Sequence, residues 1–273
     1  MGVAKLAVIV AVVIAGDSSP SNDKDAATGE SARRVVDLAR QYEFFADRER
    51  QTRFELQPKP VLTYSNPVRG DVHGSVFVWT RNARPAVVGA FFDFRSESKL
   101  DSELHSLVTA GVTGWRDGKE FWNPTKPGVA FEPVPSSPAP AATGAARLRQ
   151  MRGLAGDFTV ERDHPEQGTG FMRLLPQPVY RYSSAEAKVA DGAMFVFVEG
   201  TDPEAYLLIE ARNGETPRWE FAFARMNIVK FTGAYKGEPV WKVEEVTWDE
   251  VFDRQEPYAI IRENPRRGLV RSR

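Results

Sequence analysis

Residues Leu174 to Glu215 repeat residues Leu56 to Glu97 at a constant offset of 118 without a gap, and this repetition limits the fold more than any other feature of the chain. Identities fall at Leu56/Leu174, Pro58/Pro176, Pro60/Pro178, Val61/Val179, Tyr64/Tyr182 and Ser65/Ser183. They continue at Gly74/Gly192, Phe77/Phe195, Val78/Val196, Pro85/Pro203 and Glu97/Glu215. Self-similarity at one offset is the mark of an internally duplicated architecture. It extends in both directions. At an offset of 116, Leu38, Ala39 and Tyr42 meet Leu154, Ala155 and Phe158, and at 119 Gly118 and Trp122 meet Gly237 and Trp241. A chain of 273 residues then holds two units of ordinary domain size.

Each unit is expected to open with a helix. From Ser31 to Asp47, Val35, Val36, Leu38, Ala39, Tyr42 and Phe45 recur at spacings of three and four, with Arg33, Arg34, Asp37 and Arg40 on the other side. Ala145 to Phe158 takes the same place in the second unit. Short β-branched and aromatic segments follow, separated by Gly, Pro and Asp. The first unit gives 61–64, 75–80, 86–94, 104–108, 112–115 and 120–122, and the second 179–182, 193–198, 205–211, 219–226, 228–235 and 240–246. Asp117-Gly118 marks a type I′ hairpin turn, because both residues tolerate positive φ, and Lys236-Gly237 occupies the equivalent place. The expected fold is therefore α+β, a tandem duplication in which each unit is an N-terminal helix covering one face of a five- or six-stranded antiparallel meander.

Around the two units, at 31–123 and 145–261, the remaining segments are distinct. Lys5 precedes an apolar run from Leu6 to Ile14, which is too short to span a bilayer and has the length of a signal-peptide core. Val13 and Ala15 supply small residues for cleavage near Ala15 or Gly16, so 1–16 is expected to be a signal peptide, with no transmembrane span in the mature chain. A polar, disordered segment is expected over 17–30. The prolines of 124–144 make a linker or a strap over the first sheet, and Val129, Phe131 and Val134 favour the strap. Residues 262–273 form a basic tail, best read as a solvated terminus.

Composition removes several function classes. Thirty-six basic against 37 acidic residues leave a net charge of −1, so no global field recruits nucleic acid. The absence of cysteine excludes disulfides, thiolate metal sites and thiol nucleophiles. No Gly-x-Ser-x-Gly elbow, phosphate-binding loop or dinucleotide fingerprint occurs, and no cofactor or metal is implied.

Few residues remain as candidates. Asp101, Glu103 and His105 would share one face of an extended strand, giving two carboxylates and an imidazole for acid/base or metal chemistry, or simply a polar strand face. His73, in an expected loop, and His164 have no neighbour at metal-ligand spacing. Glu244, Glu245, Asp249, Glu250 and Asp253 form an acidic cluster that lacks the turn and alternation of a calcium loop. Trp79, Trp115, Trp122, Trp219 and Trp241 are ligand-binding candidates, since exposed aromatics on a sheet stack on sugar rings, while the alternative is core packing.

The segments LLPQPVYRYS (Leu174 to Ser183), DGAMFVFVEGTDPE (Asp191 to Glu204) and AARLRQMRGL (Ala145 to Leu154) resemble a group of exported proteins abundant in planctomycete-type bacteria. The resemblance covers about residues 31 to 246. It implies residence in the periplasm, the cell envelope or the medium, and carries no activity, cofactor or catalytic residue. The functional expectation is a non-catalytic exported binding or envelope-structural protein whose partner is a glycan or an envelope protein. The alternative is an exported hydrolase with a site between the halves using Asp101, Glu103 and His105.

Overall fold

A computed structural model describes residues 20–66, 72–94, 97 and 99–262. The expected signal peptide over 1–16, and the expected tail beyond Arg262, lie outside the described residues. The fold is α+β, and every strand pairing among the described residues is antiparallel. Along the first half run α1 (Pro20–Ala39), β1 (Glu43–Phe45), β2 (Glu55–Leu56), β3 (Leu62–Asn66), β4 (Val72–Arg81), β5 (Arg84–Phe94), β6 (Lys99–Ser106), β7 (Thr113–Arg116) and β8 (Lys119–Trp122). The proline-rich stretch contributes β9 (Glu132–Pro133). The second half runs α2 (Gly144–Gly156), β10 (Phe158–His164), β11 (Gly168–Phe171), β12 (Arg173–Leu174), β13 (Tyr180–Ser184), β14 (Val189–Glu199), β15 (Asp202–Arg212), β16 (Arg218–Arg225), β17 (Lys230–Tyr235) and β18 (Glu238–Val243). It ends with α3 (Trp248–Val251) and β19 (Tyr258–Arg262).

Two large sheets form the centre. The first has the order β19-β6-β5-β4-β2, with β3 also on β4, and the second β12-β14-β15-β16-β9, with β13 also on β14. The single meander expected in each half is split, because the last hairpin leaves the large sheet. In the first half β7 and β8 join β1, and in the second β17 and β18 join β10 and β11. The cause lies just after each helix. Phe44 and Phe158 are buried in short strands that pair with β7 and β17, where the spacing had extended the helices.

Helix α1 ends at Ala39, before Tyr42 and Phe45, and starts at Pro20, inside the segment expected to lack regular structure. Proline suits a first helical turn, where its missing N–H leaves no bond unmade. Both helices bury the same triad of positions at i, i+3 and i+4: Val35, Leu38 and Ala39 in α1, Met151, Leu154 and Ala155 in α2.

The sheets are buried on both faces, not one. Val76, Val78, Val88 and Ala90 of the first sheet pack against Met194, Val196, Leu208 and Ala222 of the second. Their odd-numbered neighbours point the other way: Phe77, Trp79 and Phe91 pack under α1 and the small sheet of the first half, and Phe195, Phe197 and Phe221 under α2. The sheet–sheet interface is thus mainly aliphatic, with Tyr64, Tyr206 and Tyr258 as its buried rings, while most of the buried phenylalanines lie on the helix side. Buried on both faces, such strands read as continuous apolar runs instead of an alternation.

Repeated residues answer to local backbone demands. Tyr64 pairs with Gly74 and Tyr182 with Gly192, and a Cβ on either glycine would lie 2.1 Å from the Tyr64 ring or 2.5 Å from the Tyr182 ring. The β4–β5 register slips between Trp79 and Thr80, and the β14–β15 register between Phe197 and Val198, next to the partners of Pro85 and Pro203. A bulge there accommodates a residue that cannot donate to the ladder. Asp117 and Gly118 have φ of 51° and 71°, and Lys236 and Gly237 51° and 88°, as type I′ turns require.

Two segments cross between the halves. The proline-rich strap starts on the first sheet, where Gly128 N donates to Val108 O at 3.0 Å, and ends as β9 on the outer edge of the second. It buries Val129 and Val134. Strand β19 returns to the first sheet, placing Tyr258 opposite His105 and Arg262 opposite Asp101, so Arg262 is the end of a strand and not part of a free tail.

Candidate functional site

Strand β6 carries Asp101, Glu103 and His105, and its two faces do different work. Leu100 and Leu104 enter the core beneath α1, and Ser102 Oγ lies 2.9 Å from Tyr42 Oη. The strand's period of two turns Asp101, Glu103 and His105 to the opposite face, toward the second sheet. Tyr258 then separates the set, its ring 6.2 Å from that of His105 and buried in the sheet–sheet core. Asp101 and Glu103 line one cleft, of about 200 Å³, and His105 lines another, of about 320 Å³.

In the larger cleft His105 is only 4% exposed, and its Nδ1 lies 2.7 Å from Ser106 O. A carbonyl only accepts, so Nδ1 carries the proton and Nε2 keeps its lone pair. Burial holds the imidazole down at about 4, the nearby Arg225 charge adding to the effect and the Ser106 bond opposing it, so the ring is neutral at physiological pH. Arg225, at the end of β16, donates from Nε to Asn227 O (2.8 Å), from Nη1 to Glu244 O (2.9 Å) and from Nη2 to Ile228 O (2.8 Å) and Val229 O. A guanidinium has five N–H groups, so one on Nη1 remains. Burial lowers Arg225 to about 10, and the group stays charged. Half-buried Trp241 stacks on Phe223 with ring centroids 4.9 Å apart and forms an apolar wall.

Of the acidic cluster, Glu244, Glu245 and Glu250 reach the rim of this cleft, while Asp249 and Asp253 are exposed outside it. Glu250 closes a capping box with Thr247, Glu244 pairs with Lys242 at 2.8 Å, and Glu256 pairs with Lys126.

The smaller cleft brings Asp101 and Glu103 together with Asp202, Glu204 and Asn227. Glu204 is 2% exposed and accepts a bond from Asn227 Nδ2 at 2.8 Å. Burial raises Glu204 to about 8, so it is protonated at neutral pH. Asp101 Oδ2 lies 2.6 Å from Lys99 Nζ, whereas its Oδ1 is buried without a hydrogen-bond partner. Behind this cleft the hydroxyls of Tyr64 and Tyr206 are buried, also without partners.

The other candidates fall elsewhere. Trp79, Trp122 and Trp219 are in the cores, Trp122 donating to Glu256 O at 2.9 Å. Trp115 stands apart beneath Arg50, and Trp241 alone of the five lines the His105 cleft. His73 lies within β4, not in a loop, and His164 Nδ1 accepts from Glu166 N and Gln167 N. No group of three His, Asp or Glu side chains among the described residues is placed to hold a metal ion. No helix among them is long and apolar enough to cross a membrane.

Sequence reasoning passed over Glu204, Glu210 and Arg225. Their signal was available: each is a charge flanking the apolar centre of a strand, AYLLI in β15 or FAFA in β16, where burial demands a partner or a function. No protein-family model, no curated protein and no solved structure matches the chain.

Proposed function

We propose that the chain is an exported, non-catalytic binding protein built by duplication of one α+β unit, with its ligand, a glycan, held in the cleft of His105, Arg225 and Trp241. The observation that carries this reading is the lone pair on Nε2 of the nearly buried His105, which has no partner among the described residues and fronts a cleft. Beside it stand one spare guanidinium N–H and an aromatic wall. An acceptor, a donor and a flat apolar surface are the complement of a sugar ring, whose hydroxyls both donate and accept while its C–H face stacks.

Hydrolysis fits the arrangement less well. A general base works best with a pKa near the operating pH, and His105 lies well below neutrality. Among the described residues no serine, threonine or cysteine lines its cleft, and Asp101 and Glu103 belong to the other one.

Duplication is supported by coincidence of structure at the sequence offset. Strands β2, β3 and β5 correspond to β12, β13 and β15 residue for residue at 118, and both long hairpins slip register at the same place. Export rests on the leader-like residues 1–16 and on the resemblance to exported proteins.

Thermal melting of the mature chain with envelope polysaccharides, chito-oligosaccharides and cello-oligosaccharides tests the reading, with divalent metals and chelator run alongside. A ligand at 100 times its dissociation constant adds about 2.7 kcal/mol, several degrees of Tm for a chain of this size. The shift should vanish in Trp241→Ala and survive in Trp115→Ala. A shift with metal and none with any saccharide overturns the proposal.

A further inference from the structure

The carboxyl-lined cleft is a second and independent feature, with no part in the glycan reading. We infer that it is a binding site for a small organic ammonium ion, a primary amine on an apolar body. One buried carboxyl oxygen in its lining, on Asp101, lacks a partner. Glu204, 2% exposed and lining the cleft, accepts from Asn227 through Oε2. Asp101 engages Lys99 through Oδ2 and leaves Oδ1 buried and unbonded. Native structures rarely leave such atoms unsatisfied, and an unsatisfied buried acceptor is expensive.

The chemistry of the occupant follows from the lining. Asp101, Glu103, Asp202 and Glu204 supply four carboxyl groups, against Lys99 and Arg262 as the cations, so an anion is excluded. Arg262 is already held 5.1 Å over the Trp248 and Phe252 rings, and Lys99 over Phe94 at 5.0 Å. A hard metal ion needs several oxygens converging at about 2.0–2.6 Å, and no such group occurs among the described residues. An –NH3⁺ head needs separate acceptors for its three donors and accepts looser geometry. Phe92, Phe94, Ile260 and Trp248 then offer an apolar wall for its carbon chain. At about 200 Å³ the cleft is smaller than the roughly 300–1,000 Å³ of clefts that take drug-sized ligands.

Protons report the occupant. Glu204 is faced by Asp202 on its own strand, Glu199 of β14, Arg162 of β10, Asp101, Glu103 and Lys99 of β6, Tyr64 of β3, and Tyr258 and Arg262 of β19. Burial, reinforced by Glu199 and Asp202, keeps its proton on, while Asn227 and Arg162 act the other way. A cation arriving beside it favours the carboxylate, so binding releases a proton and strengthens as pH rises toward 8.

The experiment is thermal melting of the full mature chain with hexylammonium chloride at pH 6 and pH 8, at fixed ionic strength, with hexanol as the neutral isostere. Hexylammonium should raise Tm by at least about 2 °C at pH 8 and by less at pH 6, and hexanol should not. Glu204→Gln, which keeps the shape and an acceptor for Asn227, should remove the pH dependence, and Asp101→Asn should weaken the response at both pH values. Trp241→Ala, in the other cleft, should leave the ammonium response intact, which keeps failure of this site distinct from failure of the glycan site. An equal shift from hexanol, no shift at pH 8, or undiminished responses in both Glu204→Gln and Asp101→Asn overturns the inference.

Discussion

Arg84, at the start of β5, reaches across the sheet–sheet interface to Glu210 of β15 and grips it with two bonds, Nε to Oε1 at 2.7 Å and Nη2 to Oε2 at 3.1 Å. Glu210 is fully buried, and it also accepts from Tyr182 Oη at 2.9 Å and Arg212 Nη1 at 3.1 Å. The Arg84 guanidinium lies 4.6 Å over the ring of Phe131 in the strap. One side chain therefore ties the first sheet, the second sheet and the strap together. Removing one partner of a buried pair strands the other charge, which costs about 3–5 kcal/mol. Since Arg212 remains, Arg84→Ala should lower unfolding free energy by about 3 kcal/mol in chemical denaturation. A loss below about 1 kcal/mol, the range of exposed pairs, would mean that Glu210 is not held as described.

Repeated tyrosines should respond differently to loss of their hydroxyls. Tyr182 Oη donates to Glu210, whereas Tyr64 Oη, at the matching position of the first sheet, is buried without a partner. A hydrogen bond to a charged group contributes about 1.5–3 kcal/mol, while deleting an unsatisfied polar group is neutral or stabilising. Tyr182→Phe should therefore cost about 2 kcal/mol and Tyr64→Phe nothing. Equal losses in urea titrations would contradict the assignment of the Tyr182 bond.

The hairpin between β4 and β5 carries removable strain. Asn82 and Ala83 adopt φ of 48° and 65°, and alanine is a poor occupant of that region. A left-handed L-residue costs about 1–2 kcal/mol, of which glycine's greater freedom in the unfolded chain returns about 0.4–1. Ala83→Gly should raise stability by about 0.5–1 kcal/mol. Destabilisation would show that the turn does not hold this geometry in solution.

These elements also show what a single sequence discloses. The long strands were legible, β5 being expected over 86–94 and found over Arg84–Phe94, because hydrophobic runs bounded by Gly, Pro and Asp depend on local pattern. Asp117-Gly118 was legible for the same reason. Burial of both sheet faces was present in the unbroken run Val76-Phe77-Val78-Trp79, which alternation would have interrupted. The strands β1 and β10 were not, since Tyr42 and Phe45 after α1, and Phe158 after α2, fit the helical period equally well. Nor was the return of β19 to β6. That pairing joins residues more than 150 positions apart, and it sends Asp101 and Glu103 to one cleft and His105 to the other.

The two clefts give the protein opposing proton linkages. His105 titrates at about 4 in the fold against an ordinary 6.5, so its contribution is complete above 6.5 and is lost as pH falls toward 4. Glu204 titrates at about 8 against 4.5, so its contribution is complete below 4.5 and is lost as pH rises toward 8. Between 4.5 and 6.5 the unfolded chain binds one proton more at His105 and one fewer at Glu204, and the two slopes cancel. From 6.5 to 8 only the Glu204 slope remains, at about 1.4 kcal/mol per pH unit. Each variant should unmask the other group. Relative to the unmodified chain, Glu204→Gln should abolish the decline above pH 6.5 and expose a loss of stability on acidification toward pH 4. His105→Asn, whose amide retains a donor for Ser106 O, should decline steadily from pH 4.5 to 8. Unfolding free energies measured across pH 4 to 8 for the three proteins check this. Parallel profiles would mean that neither group is buried as the fold places it.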